Sequence, residues 1–191
     1  EYYLDRESGL LYFWPPTAQG TAVLSMAEGL LRAQNLAHVT FRGITFEACR
    51  ATAISVDGGE DIRIVGSTIR NTGHRGIDIE GGIEHEVYGC NIYHCGEGGI
   101  SMSGGDRPTL VPAHHNAENN HVHHFSRRAR TYKSAIAISG VGNRIAHNLI
   151  HDGPHMALSA KGNDHLVEYN EVHDVIYESG DAGAYYVGRD W

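Results

Sequence analysis

Six segments of this chain superimpose on one another: FRGITF (41–46), IVGSTI (64–69), VYGCNI (87–92), AENNHV (117–122), IAHNLI (145–150) and VEYNEV (167–172). Their last residues, Phe46, Ile69, Ile92, Val122, Ile150 and Val172, are spaced by 23, 23, 30, 28 and 22 residues. A unit this short cannot bury an apolar face by itself, so successive copies must stack to share one core. In the first three copies an apolar-x-apolar triplet follows eight residues later: ISV from Ile54, IDI from Ile77 and ISM from Ile100. IAI from Ile136 and LSA from Leu158 continue the series, and AYY from Ala184 reads as its last member. A Gly or Ala usually precedes the triplet.

Each repeat is therefore two or three short alternating strands joined by Gly- and Asn-rich corners, with no helical periodicity between them. The LxxLxLxxN pattern of leucine-rich repeats is missing. What remains is an all-β chain, a right-handed parallel β-helix of about six coils. The column Asn120, Asn148, Asn170 fits it, because stacked side-chain amides can satisfy corner backbone groups in successive coils. The longer intervals hold insertions near 104–115 and 126–133, expected to project as loops. Residues 1–35 read as a lead-in that starts with a β-hairpin, two aromatic-rich strands around the RESG turn. Residues 36–191 read as the β-helix, open at its C-terminal end. The hairpin is expected to join it to something upstream.

Composition limits the partners. The formal charge of -8 argues against nucleic acid, whose binding surfaces are basic. No apolar run reaches the ~18 residues of a membrane span. The three cysteines, Cys49, Cys90 and Cys95, form no CxxC pair and read as buried thiols. No cofactor is implied.

In a parallel coil, equal repeat positions stack about 4.8 Å apart, so chemistry should appear as columns. One column follows the anchor: Glu47, Arg70, Tyr93, His123, His151, His173, flanked by His124, Asp152 and Asp174. A zinc site needs ligands converging on one point rather than a ladder, so this column reads as imidazole stacking and no metal is assigned. A second column, three residues before each triplet, holds His74, Glu97, Lys133, His155 and Asp181, all ionisable. A third, the outward side chain of the triplet, holds Ser55, Asp78, Ser101, Ala137, Ser159 and Tyr185. A low floor of small residues, with an aromatic at one end and ionisable groups alongside, suits a sugar ring.

Glycoside hydrolysis needs two carboxyl groups, ~5–5.5 Å apart for retention and ~6.5–9.5 Å for inversion. Glu97 lies three coils from Asp181, about 14 Å by the coil spacing, so that pair fails. Glu178 belongs to a turn whose direction the sequence does not fix, and Asp164 lies on the corner opening the last coil. The chain offers one well-placed carboxylate, Asp181, and its partner is expected one coil further on.

The segments GPH (153–155), GNDHLVEYNEVH (162–173) and GDAGAYYVGRDW (180–191), with the lead-in YLDRESGLLYFWPP (3–16), resemble bacterial carbohydrate-active β-helix proteins related to glycoside hydrolase family 141. That family includes α-L-fucosidase and xylanase activities. The resemblance implies a secreted or periplasmic glycosidase acting on an oligo- or polysaccharide, with Asp181 as one of two catalytic aspartates. The other would lie about two coils past Trp191. It also implies that His155, Asn163, Asp164, His165, Tyr186, Arg189 and Asp190 line the pocket. Glu178, Tyr185 and Trp191, in the same closing stretch, complete the expected contacts. Two other readings stay open: a polysaccharide lyase or uronate epimerase, kept alive by Arg75 and Lys133, and a non-catalytic carbohydrate-binding β-helix.

Overall fold

The computed structural model describes residues 2–15, 17 and 20–188. Three parallel sheets wrap one core. The first sheet has seven strands: Leu31–Gln34, Ile54–Asp57, Ile77–Glu80, Ile100–Gly104, Ile136–Val141, Leu158–Asn163 and Tyr185–Val187. The second has six: Ala37–Arg42, Glu60–Val65, Glu86–Tyr88, Asn116–Glu118, Arg144–Ala146 and Leu166–Glu168. The third has six as well: Thr45–Cys49, Thr68–Thr72, Asn91–Cys95, His121–His123, Leu149–His151 and Glu171–Val172. The chain visits the sheets in that order and returns to the first one rung along, so every repeat is one coil of a right-handed β-helix. No helix among the described residues is long and apolar enough to cross a membrane.

Alternation puts apolar columns from each sheet inside. Ile54, Ile77, Ile100, Ile136 and Leu158 come from the first sheet, Ile62, Ile64, Val87, Ala117 and Ile145 from the second, and Phe46, Ile69, Ile92, Val122 and Ile150 from the third. All are buried. A parallel ladder joins equal positions in adjacent coils, so like stacks on like and no knob must find a differently shaped hole.

The corners explain the punctuation. Between the second and third sheets one residue per coil has positive φ: Gly43, Gly66 and Gly89 early, then Asn119, His147 and Tyr169. At or just past the end of each third-sheet strand the same holds at Ala48, Asn71, His94, His124, Asp152 and Asp174. Asn, Asp and His tolerate this left-handed region better than most side chains. The polar His–Asp doublets of the sequence thus mark a bend repeated in every coil.

Two side-chain ladders satisfy the corner backbone from inside. The Asn148 Oδ1 accepts from the Asn120 N–H at 2.9 Å, and Asn170 Oδ1 accepts from the Asn148 N–H at 3.0 Å. Their amide groups donate to Val87, Ala117 and Ile145 carbonyls. Cys90 and Ser67 hold the same position in earlier coils. The second ladder runs His85, His115, Asn143, His165. Each member accepts a backbone N–H from the previous coil, at 3.0–3.2 Å.

Before the solenoid, Tyr2–Leu4 and Leu11–Phe13 pair as an antiparallel hairpin in the register Tyr3↔Tyr12. Asp5 and Ser8 close its turn, as the RESG signal predicts. Its aromatic side chains are exposed.

Candidate functional site

The outward face of the first sheet carries a groove. Ser55, Asp78, Ser101, Ala137 and Ser159 stack in register along it. The next member is Tyr186, not Tyr185, because the last strand pairs Leu158 with Tyr185 and Ser159 with Tyr186. The expected alignment of AYY was one residue out. Ala184 is instead the small residue before the strand, and its carbonyl accepts the Ala157 and Leu158 N–H groups as Ala135 does for Gly99 and Ile100. A single-residue slip exchanges the two faces of a strand. Two adjacent tyrosines give no alternation to pin the register, whereas the preceding small residue does. Tyr185 takes the inward register and is half exposed. Ala182 takes the corner position expected for Asp181, and Asp181 sits one residue before it.

Over this sheet a cavity of about 310 Å³ is lined by Ser101, Ala137 and Ser159 below, Arg75, Tyr132, Lys133 and Ser134 at the side, and Lys161, Tyr186 and Gly188 at the far end. The insertion at 126–133 builds the side wall. Ser126 Oγ donates to the Lys133 carbonyl at 2.6 Å, closing the loop on itself. The loop also grips the last turn twice. Arg130 binds both oxygens of Glu178 through its Nε and Nη2, and the Tyr132 hydroxyl donates to Asp181. The guanidinium of Arg130 holds the Glu178 carboxyl below the usual carboxylate range. Lys133 reaches Glu97 at 3.0 Å, and Arg75 reaches Asp78 at 3.5 Å.

The structure therefore brings Tyr186, Tyr132 and Lys133 to one groove, joins Asp181 to it through the Tyr132 hydroxyl, and leaves other expected contacts elsewhere. His155 is fully buried. It accepts from the Tyr132 N–H at 3.4 Å and carries the Tyr132 ring tilted against it at 5.0 Å, so it meets the groove only through Tyr132. Asn163, Asp164 and His165 lie beyond Lys161, at the opposite end of the strand that begins at Leu158, and none of them lines the groove. Asn163 Oδ1 accepts from Arg107. Asp164 is exposed at a positive-φ corner. His165 belongs to the second ladder, its Nδ1 accepting from Asn143 at 3.1 Å. Glu178 is occupied by Arg130. Arg189, Asp190 and Trp191 lie outside the described residues.

The column after the anchor stacks as rings. Tyr93 lies on His123 at 4.9 Å, His123 on His151 at 5.2 Å, and His151 on His173 at 4.8 Å. Asp152 and Asp174 accept from His151 and His173 at 2.7 and 2.9 Å. Among the described residues no three His, Cys, Asp or Glu side chains converge as metal ligands would. Burial, and then the neighbouring imidazoles, lower the pKa of His123 to about 4.

Tyr132 and Lys161 are among the groove residues that sequence reasoning missed. Lys161 follows the Leu158 triplet and was visible as its outward extension. Tyr132 had no such signal, because a loop outside the repeat has no register. The His85, His115, Asn143, His165 ladder was missed as well, and its signal was periodic: each member stands two residues before the second-sheet residue Val87, Ala117, Ile145 or Val167.

The model of the right-handed β-helix region matches residues 29–188, and the chain belongs to that family. Comparisons with curated proteins and with solved structures found no match. The family assignment agrees with three sheets, stacked coils and a surface groove, a fold compatible with carbohydrate-related proteins.

Proposed function

We propose that the groove on the first sheet binds a saccharide chain and that the protein is a glycoside hydrolase with Asp181 as a catalytic carboxylate. The observation that carries this reading is Asp181 held by the Tyr132 hydroxyl beside a groove floored by Ser101, Ala137 and Ser159 and ended by Tyr186. Small outward residues leave room for a pyranose ring to lie along the sheet. An aromatic side chain supplies an apolar face with a polar tip, and the serine hydroxyls donate and accept toward sugar hydroxyls. The Tyr132 hydroxyl engages one oxygen of Asp181 and leaves the other for substrate. Tyr132 is thus a positioning residue. Glu178 and Glu97 are tied to Arg130 and Lys133 and leave Asp181 as the carboxylate of this wall without a cationic partner in the described structure. A secreted or periplasmic location, where such polymers occur, belongs to the same proposal.

A second reading has its own observation. Arg75, Lys133 and Lys161 all line the groove, and cations suit the carboxylate of a uronate. A lyase or epimerase would use them to stabilise charge as the α-proton leaves, as fixed cations do in other polar transition states. The product separates the two readings. Incubation of the full-length protein, with the coils expected past Trp191, with a glycan panel should release new reducing ends without ultraviolet absorbance from a conjugated uronate. Asp181→Asn should lower that release by at least about 100-fold, the range of a lost acid–base group. Absorbing, unsaturated ends would establish the lyase reading instead.

A further inference from the structure

Away from the groove, at the corner between the third and first sheets, lies a larger cavity of about 580 Å³. Arg50, Arg127, Arg128, His94, Asn71 and Thr72 line it, and no carboxylate does. In a chain of formal charge -8, three guanidinium groups gathered on one cavity oppose the average field of the molecule. They come from distant parts of the sequence, one from an early corner and two from the 126–133 insertion. We infer that this corner is a binding site for an oxyanion, the carboxylate, sulfate or phosphate group of a ligand, held by Arg50, Arg127 and Arg128.

The placement of the arginines is fixed by the backbone. The Arg127 N–H donates to the Cys95 carbonyl at 3.0 Å, and the Arg128 and Ala129 N–H groups donate to the Gly96 carbonyl at 2.9 and 3.0 Å. The insertion is thereby fastened across the Cys95–Gly96 corner. Arg128 Nη1 donates to the Gly73 carbonyl at 3.2 Å, which sets its guanidinium against the preceding coil. Arg127 makes no side-chain hydrogen bond or ion pair among the described residues. Among the described residues Arg50 pairs only with Glu28, at 3.9 Å and largely exposed. Such a pair contributes little in water. Arg70 stands close by but is already engaged by Glu47 and Tyr93. Guanidinium forks match the planar or tetrahedral oxygens of carboxylate, sulfate and phosphate. Asn71 and Thr72 add neutral polar groups. His94 feels the same field: burial first, then Arg127, His124 and Arg70, keep its pKa below the ordinary imidazole value. This site does not rest on the groove's proposed chemistry.

The shared chemistry has two sources, an acidic glycan and a free inorganic anion, and one titration set distinguishes them. Calorimetry at low ionic strength would use inorganic sulfate, inorganic phosphate, an oligogalacturonate and a neutral oligosaccharide of equal length. The wild-type protein is expected to bind at least one anion. Arg127→Gln and Arg128→Gln should each weaken that binding about tenfold, as expected for a charged hydrogen bond. Arg42→Gln, which changes net charge equally on another sheet, should leave it unaltered. Tighter binding of the oligogalacturonate than of the inorganic ions, lost with the same two arginines, identifies a glycan carboxylate. Binding of the inorganic ions alone identifies a free anion. No binding of any anion by the wild type overturns the inference. Equal loss in the Arg42 variant, or none in the Arg127 and Arg128 variants, overturns it too.

Discussion

Replacing Asn148 by alanine tests what holds successive coils in register. The residue is buried, and its amide bridges three rungs. Oδ1 accepts from the Asn120 N–H at 2.9 Å and from Asn120 Nδ2 at 3.0 Å, while Nδ2 donates to the Ala117 carbonyl at 3.0 Å. Alanine leaves those three buried groups without these partners and opens a small void. At about 1–3 kcal/mol for an unsatisfied buried group, with partial recovery by relaxation, the expected loss is about 3–5 kcal/mol. That is a large share of the ~5–15 kcal/mol that stabilises a typical domain. The chain supplies its own comparison. Ser67 occupies the same column, and its hydroxyl accepts the Ile44 N–H at 3.2 Å and donates to Val65. Asn148→Ser keeps a short acceptor there and should lose about half as much. Equilibrium urea unfolding gives the free energies, and hydrogen exchange at the Asn120 amide locates the loss. A change below about 1 kcal/mol for alanine, or equal losses for serine and alanine, would refute the idea that the amide ladder carries the corner.

Three further predictions follow from buried groups. His115 is fully buried, and its Nδ1 accepts the His85 N–H at 3.2 Å, a bond that exists only for the neutral ring. Burial, then His85, lower its pKa from 6.5 to about 4. The unfolded chain therefore binds the proton more tightly. Stability should be full above about pH 6.5 and fall as the pH drops toward 4, by about 3 kcal/mol from this residue. His115→Asn, the residue that Asn143 supplies in the same ladder, should flatten that slope in denaturation curves measured across pH. Gly153→Ala places a Cβ inside the Phe125 ring and should cost about 1–3 kcal/mol as overpacking, read as a lowered urea midpoint. Cys90 and Cys95 are buried and free, with burial pushing both thiols up to about 11. Alkylation by iodoacetamide near neutral pH should be slow in the native protein and rapid in urea. Fast native labelling would contradict their burial.

Much of this architecture was legible because a repeat fold writes its register into the sequence. Phe46, Ile69, Ile92, Val122, Ile150 and Val172 mark the rungs of the third sheet, and the six outward residues after them stack in that order. The asparagine ladder could be read for the same reason. Legibility failed where periodicity failed. At Ala184–Tyr186 two equal side chains give no alternation, so the sequence does not distinguish Tyr185 from Tyr186 as the outward residue. In the 126–133 insertion, with no repeat to index it, Tyr132 gave no sign that it crosses to Asp181. His155, Asn163 and His165 look like polar site residues from sequence. The structure uses His155 and His165 to support backbone, because a buried imidazole acceptor and a substrate contact carry the same letter. The arginines of the corner cavity lie far apart in sequence and only the coil brings them together.

The central claim, that Asp181 does chemistry in the groove of the first sheet, is tested most directly by reducing-end release from a glycan panel. The full-length wild-type protein and its Asp181→Asn variant would be compared, with circular dichroism and the urea midpoint showing that both are folded. The prediction is release by the wild type and a loss of at least about 100-fold in the variant, with Tyr132→Phe retaining intermediate activity. Undiminished release by a folded Asp181→Asn protein would contradict it.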